Sequence, residues 1–172
     1  MLKQELKVMS TTITLKQLPA IEITSDNFKP YGQLIIPSKD GKIYDETDAQ
    51  LNLANGIPRF YIMHLKKRGR QFNHITRHGQ CTQCLGSLEG KEWLMAFAPP
   101  ENKNYPDIMQ LKAFKIPGNC FIKLEVGTWH AGPHFDHDFV DFYNLELSDT
   151  NVIDHFTYNF NEQDHLRFEI VL

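Results

Sequence analysis

From Gly127 to His134 the chain reads Gly-Thr-Trp-His-Ala-Gly-Pro-His, and this stretch holds more potential chemistry than any other. An imidazole titrates near neutrality, so His130 and His134 have side chains that can move a proton or lend a lone pair to a metal. The run before them, Cys120 to Val126, has the composition of a strand. A Gly-x-x-His at its end puts His130 at a sharp bend, from which it can point into a barrel mouth, where small β-barrels bind small molecules. A second group lies upstream: His74, Thr76, Arg77 and His78, then Gln83, then Gly90. Alternate residues of a strand share a face, so His74, Thr76 and His78 point one way and Arg77 the other.

The spacing of both groups resembles the two half-motifs of a metal-binding cupin. Thr76-x-His78, Gln83 and Gly90 keep the intervals of the first half-motif, with two of its four identities changed. Glu125-x-Gly127-x-x-His130 and His134 keep those of the second, again with two changes. His78 and His130 would then face each other across the mouth. Two neutral imidazoles bind a divalent ion, but a stable site wants a third or fourth ligand, often a carboxylate. Gln83 offers only an uncharged amide oxygen. If a metal binds, its ligands are His78, His130 and Gln83, and it binds weakly. Without one, the two histidines act as general base and acid. The metal-free or weak-metal reading is favoured.

The elements that must carry these residues are strands. Arg59–Leu65, Phe72–His78, Gln83–Leu88, Glu92–Ala98, Gln110–Ile116, Cys120–Val126, Val140–Leu147, Asp154–Tyr158 and Leu166–Val171 are short, rich in β-branched and aromatic residues, and punctuated by Gly, Pro and Asn. Gln33–Pro37 is another, after one helical turn within Ile23–Gly32. The basic cluster Lys66–Arg70 reads as a solvated hairpin turn. Helical periodicity is nearly absent, so the expected fold is all-β, a sandwich or barrel with one or two short helices, over a single domain of residues 1–172.

Bulk properties narrow the function. A net charge of -3 argues against nucleic acid, which asks for a basic stripe. No stretch approaches the roughly 20 apolar residues of a membrane span, and Met1 to Leu15 has no apolar run of signal-peptide length. Cys81, Cys84 and Cys120 lack a second pair for zinc, and β-like sequence surrounds the C-x-x-C, so reduced cysteines in a cytoplasmic core are expected. His64 and His74 are read as satisfied strand histidines, and His155 and His165 as surface positions. His134, Asp136 and His137 are left between a functional role and a polar loop. Asp141 and Glu146 fall on opposite faces of one strand and cannot form a carboxylate pair.

With these residues in view, the chain resembles the ureidoglycolate lyase family, long called ureidoglycolate hydrolase, cupin-like proteins of allantoin breakdown. The likeness runs from about Leu18 to about Phe160. It rests on Phe28-Lys-Pro-Tyr-Gly32, Arg77-His78 with Gln83, the Gly90 turn, Trp129-His130 and Asp141-Phe142. A subgroup from plants and photosynthetic microbes is more similar still, through Thr82–Gly86, Gly127–Pro133 and Asp141–Asn151. The resemblance implies a cupin-like double-stranded β-helix, a homodimer, and a reaction releasing glyoxylate and urea from (S)-ureidoglycolate. On that reading His78 and His130 transfer protons, Gln83 orients the urea, Arg77 or Arg59 holds the carboxylate, and Trp129 walls the pocket. Thr76 stands where the family's enzymes carry an acidic residue, and Ala131 where they carry His. Two alternatives stay open: a non-catalytic cupin binding a small carboxylate or ureide in the same pocket, and a metallo-cupin of other chemistry drawing ligands from His74, His78, His130 and His134. Met9 to Leu15 alternates like an unpartnered edge strand, which a second subunit would cover.

Overall fold

Short alternating runs closed by turn residues become strands, and two sheets form because most runs bury at least one face. The computed structural model describes residues 12–172. In chain order the strands are β1 (Thr14–Glu22), β2 (Gly32–Ile35), β3 (Pro58–Lys66), β4 (Gln71–Phe72), β5 (His74–Arg77), β6 (Gln83–Ser87), β7 (Trp93–Ala98), β8 (Lys112–Ile116), β9 (Phe121–Leu124), β10 (Trp129–His134), β11 (Phe139–Leu147), β12 (Phe156–Asn159) and β13 (Leu166–Val171). One sheet has the order β12-β5-β10-β7-β8-β1-β13-β4 and the other β2-β9-β6-β11-β3. The fold is all-β. Helix is confined to single turns: α1 (Ser25–Phe28), α2 (Thr150–Ile153), α3 (Phe160–Gln163) and a 3-10 turn at Ile108–Gln110. That is more than the one or two short helices expected. Turns this brief carry no periodicity and are held by local caps, as when Asn159 accepts from the backbone of Asn161 and Glu162.

Two cores share the larger sheet. Between the sheets lie Trp93, Met95, Phe97, Phe114, Ile116, Leu85, Ile122, Leu124 and Phe142, closed at the base by Phe28 and Tyr31. On the outer side of the larger sheet lie Leu94, Ala96, Ala98, Trp129, Ala131, Ile75 and Phe160. Strand β7 is therefore buried on both faces, whereas in β10 Trp129 and Ala131 are buried in the outer core and His130 and Gly132 are half-buried.

Three sequence expectations change. Phe72–His78 is two strands, because β4 pairs with β13 and β5 with β10 and β12, and the chain breaks at Asn73 between them. Lys66–Arg70 is no hairpin: β3 and β4 belong to different sheets, so the cluster is a crossover, tied down by Lys67 to the Asp138 carbonyl and by the Arg70–Asp136 ion pair. The N-terminal strand is not unpartnered, although each part of it is paired on one side only, Thr14–Pro19 with β13 and Ala20–Glu22 with β8. From Thr14 on it is β1, which runs parallel to both β13 and β8; Met9 to Thr11 lie outside the described residues.

The Phe28–Gly32 segment shows why its residues matter for placing the site. A Cβ on Gly32 would lie 1.9 Å from the backbone carbonyl oxygen of Lys123 in β9, so only glycine lets β2 pass there. Strand β9 in turn sets Leu124 opposite Gln83. We expect Gly32→Ala to separate β2 from β9 and to cost about 1–3 kcal/mol, as overpacked cores do. Chemical denaturation of the variant checks this; stability equal to the wild type would refute it.

Candidate active site

The register of β10 builds the site. Trp129 pairs with Ala98, His130 with Phe97 and Ala131 with Ala96, so His130 shares Phe97's inward face while its two neighbours face the outer core. Opposite His130 on β5 stands Thr76. His78 follows at the end of β5 and is buried. The two imidazoles sit with ring centroids 5.0 Å apart, and His155 approaches His78 from the other side at 5.6 Å.

Backbone carbonyls choose the tautomers. Nδ1 of His78 lies 2.5 Å from the Asp154 carbonyl oxygen, and Nδ1 of His130 lies 3.3 Å from that of Thr128. A carbonyl only accepts, so each Nδ1 carries the proton and each Nε2 keeps a free lone pair. Asp154 also fixes the chain after His78, since its carboxylate accepts from the backbone N–H of Gly79 and of Gln80.

Gln83 lies beside them on β6. Its amide nitrogen donates to Asn144 Oδ1 and to Glu146 Oε2, both at 3.1 Å. The other oxygen of Glu146 accepts from Tyr61 and Asn151 at 3.3 and 3.1 Å. This carboxylate is buried yet has three donors, the condition under which a buried charge is tolerated. The amide oxygen of Gln83 is buried with no partner. His78, Cys81, Gln83, Leu124, Glu125, Thr128 and His130 line a narrow space beside it that is too small to hold a water.

Other expected site residues go elsewhere. Arg77 and Trp129 turn to the opposite face of the larger sheet. There the Arg77 guanidinium stacks 4.6 Å from the Trp129 ring and donates to the carbonyls of Glu101 and Lys103. Strand alternation causes this, because both are one residue out of phase with His130 and Thr76. Arg59 is exposed on β3 with its guanidinium 3.7 Å over the Tyr61 ring, at the edge of the Glu146 cluster. The cysteines are unpaired, and burial pushes the Cys84 thiol up to about 12.

Sequence reasoning misses two groups. It discounts Glu146 because Asp141 lies on the other face of β11; Asp141 does face out, 2.6 Å from His64, but Glu146 needs no such partner. Alternation in Val140-x-Phe142-x-Asn144-x-Glu146 already marks it as inward. The second group is a cleft of about 360 Å³ next to His130, lined by His74, His155, His134, Thr76, Gln71 and Arg68 among others. His74 is expected as a satisfied strand histidine and His155 as a surface residue. Both do reach solvent, but they do so as cleft walls, a distinction set by the β5–β12 pairing.

Among the described residues no three His, Cys, Asp or Glu side chains come together in a way that could hold an ion. Gln83 turns its nitrogen to Glu146 and leaves its oxygen without a protein partner.

A family model described as ureidoglycolate lyase matches residues 15–157. A search of curated proteins finds no match. Among solved structures, RmlC from Streptococcus suis in complex with dTDP-D-xylose is 14% identical with a TM-score of 0.41, covering 54% of this chain and 44% of that one. Two mutants of Bacillus subtilis oxalate decarboxylase OxdC are 11% and 10% identical, with TM-scores of 0.40 and 0.41. They cover 63% and 77% of this chain but only 25% and 29% of theirs, so the chain spans less than half the length of each of the three.

Burial holds His78, His130 and His134 below the ordinary imidazole value. For His130 burial and then the neighbouring His78 bring it down to about 3. For His78 the Asp154 carbonyl and the charges of Asp154 and Glu146 oppose burial in part. The unfolded chain binds protons near pH 6.5 that the folded chain refuses. Their contribution to stability is therefore complete above 6.5 and is lost as pH falls from there toward about 3. A tenfold loss of proton affinity on folding corresponds to at most about 1.4 kcal/mol. We expect His130→Gln to flatten the fall in melting temperature between neutral pH and pH 4.5; identical slopes in wild type and variant would show that His130 is not held neutral.

Proposed function

The chain belongs to the ureidoglycolate lyase family, and from that premise we propose that it splits (S)-ureidoglycolate into glyoxylate and urea, a step of allantoin breakdown in the cytoplasm. The observation that carries the reading is the pair of imidazoles, His78 and His130, with ring centroids 5.0 Å apart and each Nδ1 taken up by a backbone carbonyl, beside the unpartnered amide oxygen of Gln83. A ureido group brings N–H donors and a carbinol brings an O–H donor, which are the groups such a set lacks.

The substrate is a hemiaminal. Its carbinol proton must leave as the C–N bond breaks, the carbonyl of glyoxylate forms, and the departing urea nitrogen gains a proton. Both imidazoles are neutral at pH 7, so no acid stands ready at the start. His78 is the better base of the two, because Glu146 and the Asp154 carbonyl support its cation. The proton it lifts is the one returned to the urea nitrogen, with His130 on the nitrogen side and Gln83 accepting a urea N–H. Positioned proton transfer contributes about 10²–10⁴-fold.

The test follows glyoxylate release from ureidoglycolate against spontaneous decay. The wild type should accelerate it without added metal, His78→Ala and His130→Ala should each lose about 10²-fold or more, and activity should fall in acid as His78 takes a proton. No acceleration, with or without Mn²⁺ or Zn²⁺, would refute the assignment. A second reading has one observation in its favour: Thr76 stands across from His130 where the family's enzymes place an acid, and it bonds only to Thr157, at 3.0 Å. A barrel that binds a small carboxylate or ureide without turnover would show thermal stabilisation by glyoxylate or allantoate and no product.

We also propose a homodimer. Strand β1 is paired within the subunit, so the surface offered is the outer face of the smaller sheet. There Phe60, Ile62 and Tyr143 are exposed, and Phe60 stacks on Tyr143 at 5.7 Å beside an apolar groove of about 550 Å³. Two-fold pairing closes such a face most simply. Light scattering should give twice the chain mass for the wild type and the chain mass for Ile62→Lys; a monomeric wild type would end the proposal.

A further inference from the structure

The cleft beside His130 has an unbalanced charge. Its walls carry one guanidinium, from Arg68, and four imidazoles, from His74, His130, His134 and His155, with no carboxylate among the lining residues. Nearby acids are engaged elsewhere. Asp136 pairs with Arg70, Asp154 accepts from Gly79 and Gln80, and Glu146 is bound on the far side of Gln83.

Arg68 is fixed in place without being neutralised. Its Nε and Nη2 both donate to the Pro133 carbonyl at 3.3 Å, which holds the guanidinium plane against the bulge of β10. Those bonds use two of its five N–H groups and leave the rest for a ligand. Burial pulls its pKa down, as expected for a guanidinium without a counter-ion. In the same wall His134 donates from Nδ1 to the Gly69 carbonyl at 2.8 Å, and its Nε2 is buried with no partner. The cleft therefore presents strong donors at Arg68, and the ring of His130, whose Nδ1 is taken by a carbonyl, lies in its wall with Nε2 free to accept. An anion with an adjacent O–H satisfies both.

We infer that the cleft takes a small 2-hydroxycarboxylate, with Arg68 as the anchor of its carboxylate and Nε2 of His130 accepting from its hydroxyl. A guanidinium fork suits the two oxygens of a carboxylate. Neither arginine suggested by the sequence does as well: Arg77 faces the outer core, and Arg59 lies over Tyr61, outside the cleft. A volume of about 360 Å³ fits an acid of this size. The inference deepens the proposed reaction, since ureidoglycolate is such an acid, but it rests on the cleft and not on turnover.

The experiment titrates glycolate, and its uncharged analogue glycolamide, into wild type, Arg68→Gln, Arg68→Lys and Arg59→Gln by calorimetry. Loss of a charge-assisted pair should weaken glycolate roughly tenfold or more in Arg68→Gln, less in Arg68→Lys, and leave glycolamide unchanged. Arg68→Lys keeps a donor near the Pro133 carbonyl, so it guards against a folding defect. Glycolate binding unchanged in Arg68→Gln, a loss confined to Arg59→Gln, or no glycolate binding by the wild type would each overturn the inference. Glycolate binding that depends on Arg68, without ureidoglycolate turnover by the wild type, upholds the cleft and refutes only the lyase reading. Turnover with an unchanged KM in Arg68→Gln does the reverse.

Discussion

The arrangement depends on the register between β7, buried on both faces, and β10, whose Trp129 and Ala131 are locked into the outer core. In most antiparallel sheets one face meets water, and a slip of one residue costs mainly hydrophobic contacts on the other. Here a slip would drive Trp129 into the inner core and His130 into the outer one, where Ala96, Ala98 and Phe160 leave it no polar partner. The register of one strand pair thus decides which residues can do chemistry. It sends His130 toward His78 and sends Trp129 outward to receive the Arg77 guanidinium.

That constraint also shapes the electrostatics. Both imidazoles are enclosed, so they stay neutral, and backbone carbonyls rather than carboxylates orient them. Carbonyls fix a tautomer without making the ring strongly basic. The negative charge lies one layer back, on Glu146, where Gln83, Tyr61 and Asn151 hold it. A carboxylate so placed favours a proton on His78 without touching it, and its grip on the Gln83 nitrogen turns the amide oxygen into the void. The polar cluster beneath the site and the reactive groups above it are parts of one network.

The cleft adds a second polarity. Imidazoles and one guanidinium line it, while the acids of the surrounding loops are occupied by Arg70 and by backbone N–H groups. His130 borders both spaces, the narrow void toward Gln83 and the open cleft toward Arg68. A bound molecule would meet acceptors at one end and a cation at the other, with the imidazole between them.

Much of this was legible in the chain. Turn-punctuated β runs determined the all-β class, alternation already turned Arg77 away from His78, and the intervals among His78, Gln83 and His130 determined which residues meet. The class and the facing depend on local geometry, a period of two and a short separation, whereas the meeting of His78 with His130, far apart in the chain, was legible only through the motif spacing of a known family. Alternation with Val140 and Phe142 also put Glu146 on the inward face and Asp141 on the other, but it could not name Gln83, Tyr61 and Asn151 as the partners that hold the carboxylate. The break at Asn73, the pairing of β1 with β8 and β13, the placement of His74 and His155 in a wall, and the anchoring of Arg68 by Pro133 were decided by tertiary structure alone. In each case the deciding partner is more than 50 residues away along the chain, and no local pattern carries the identity of a neighbour so distant.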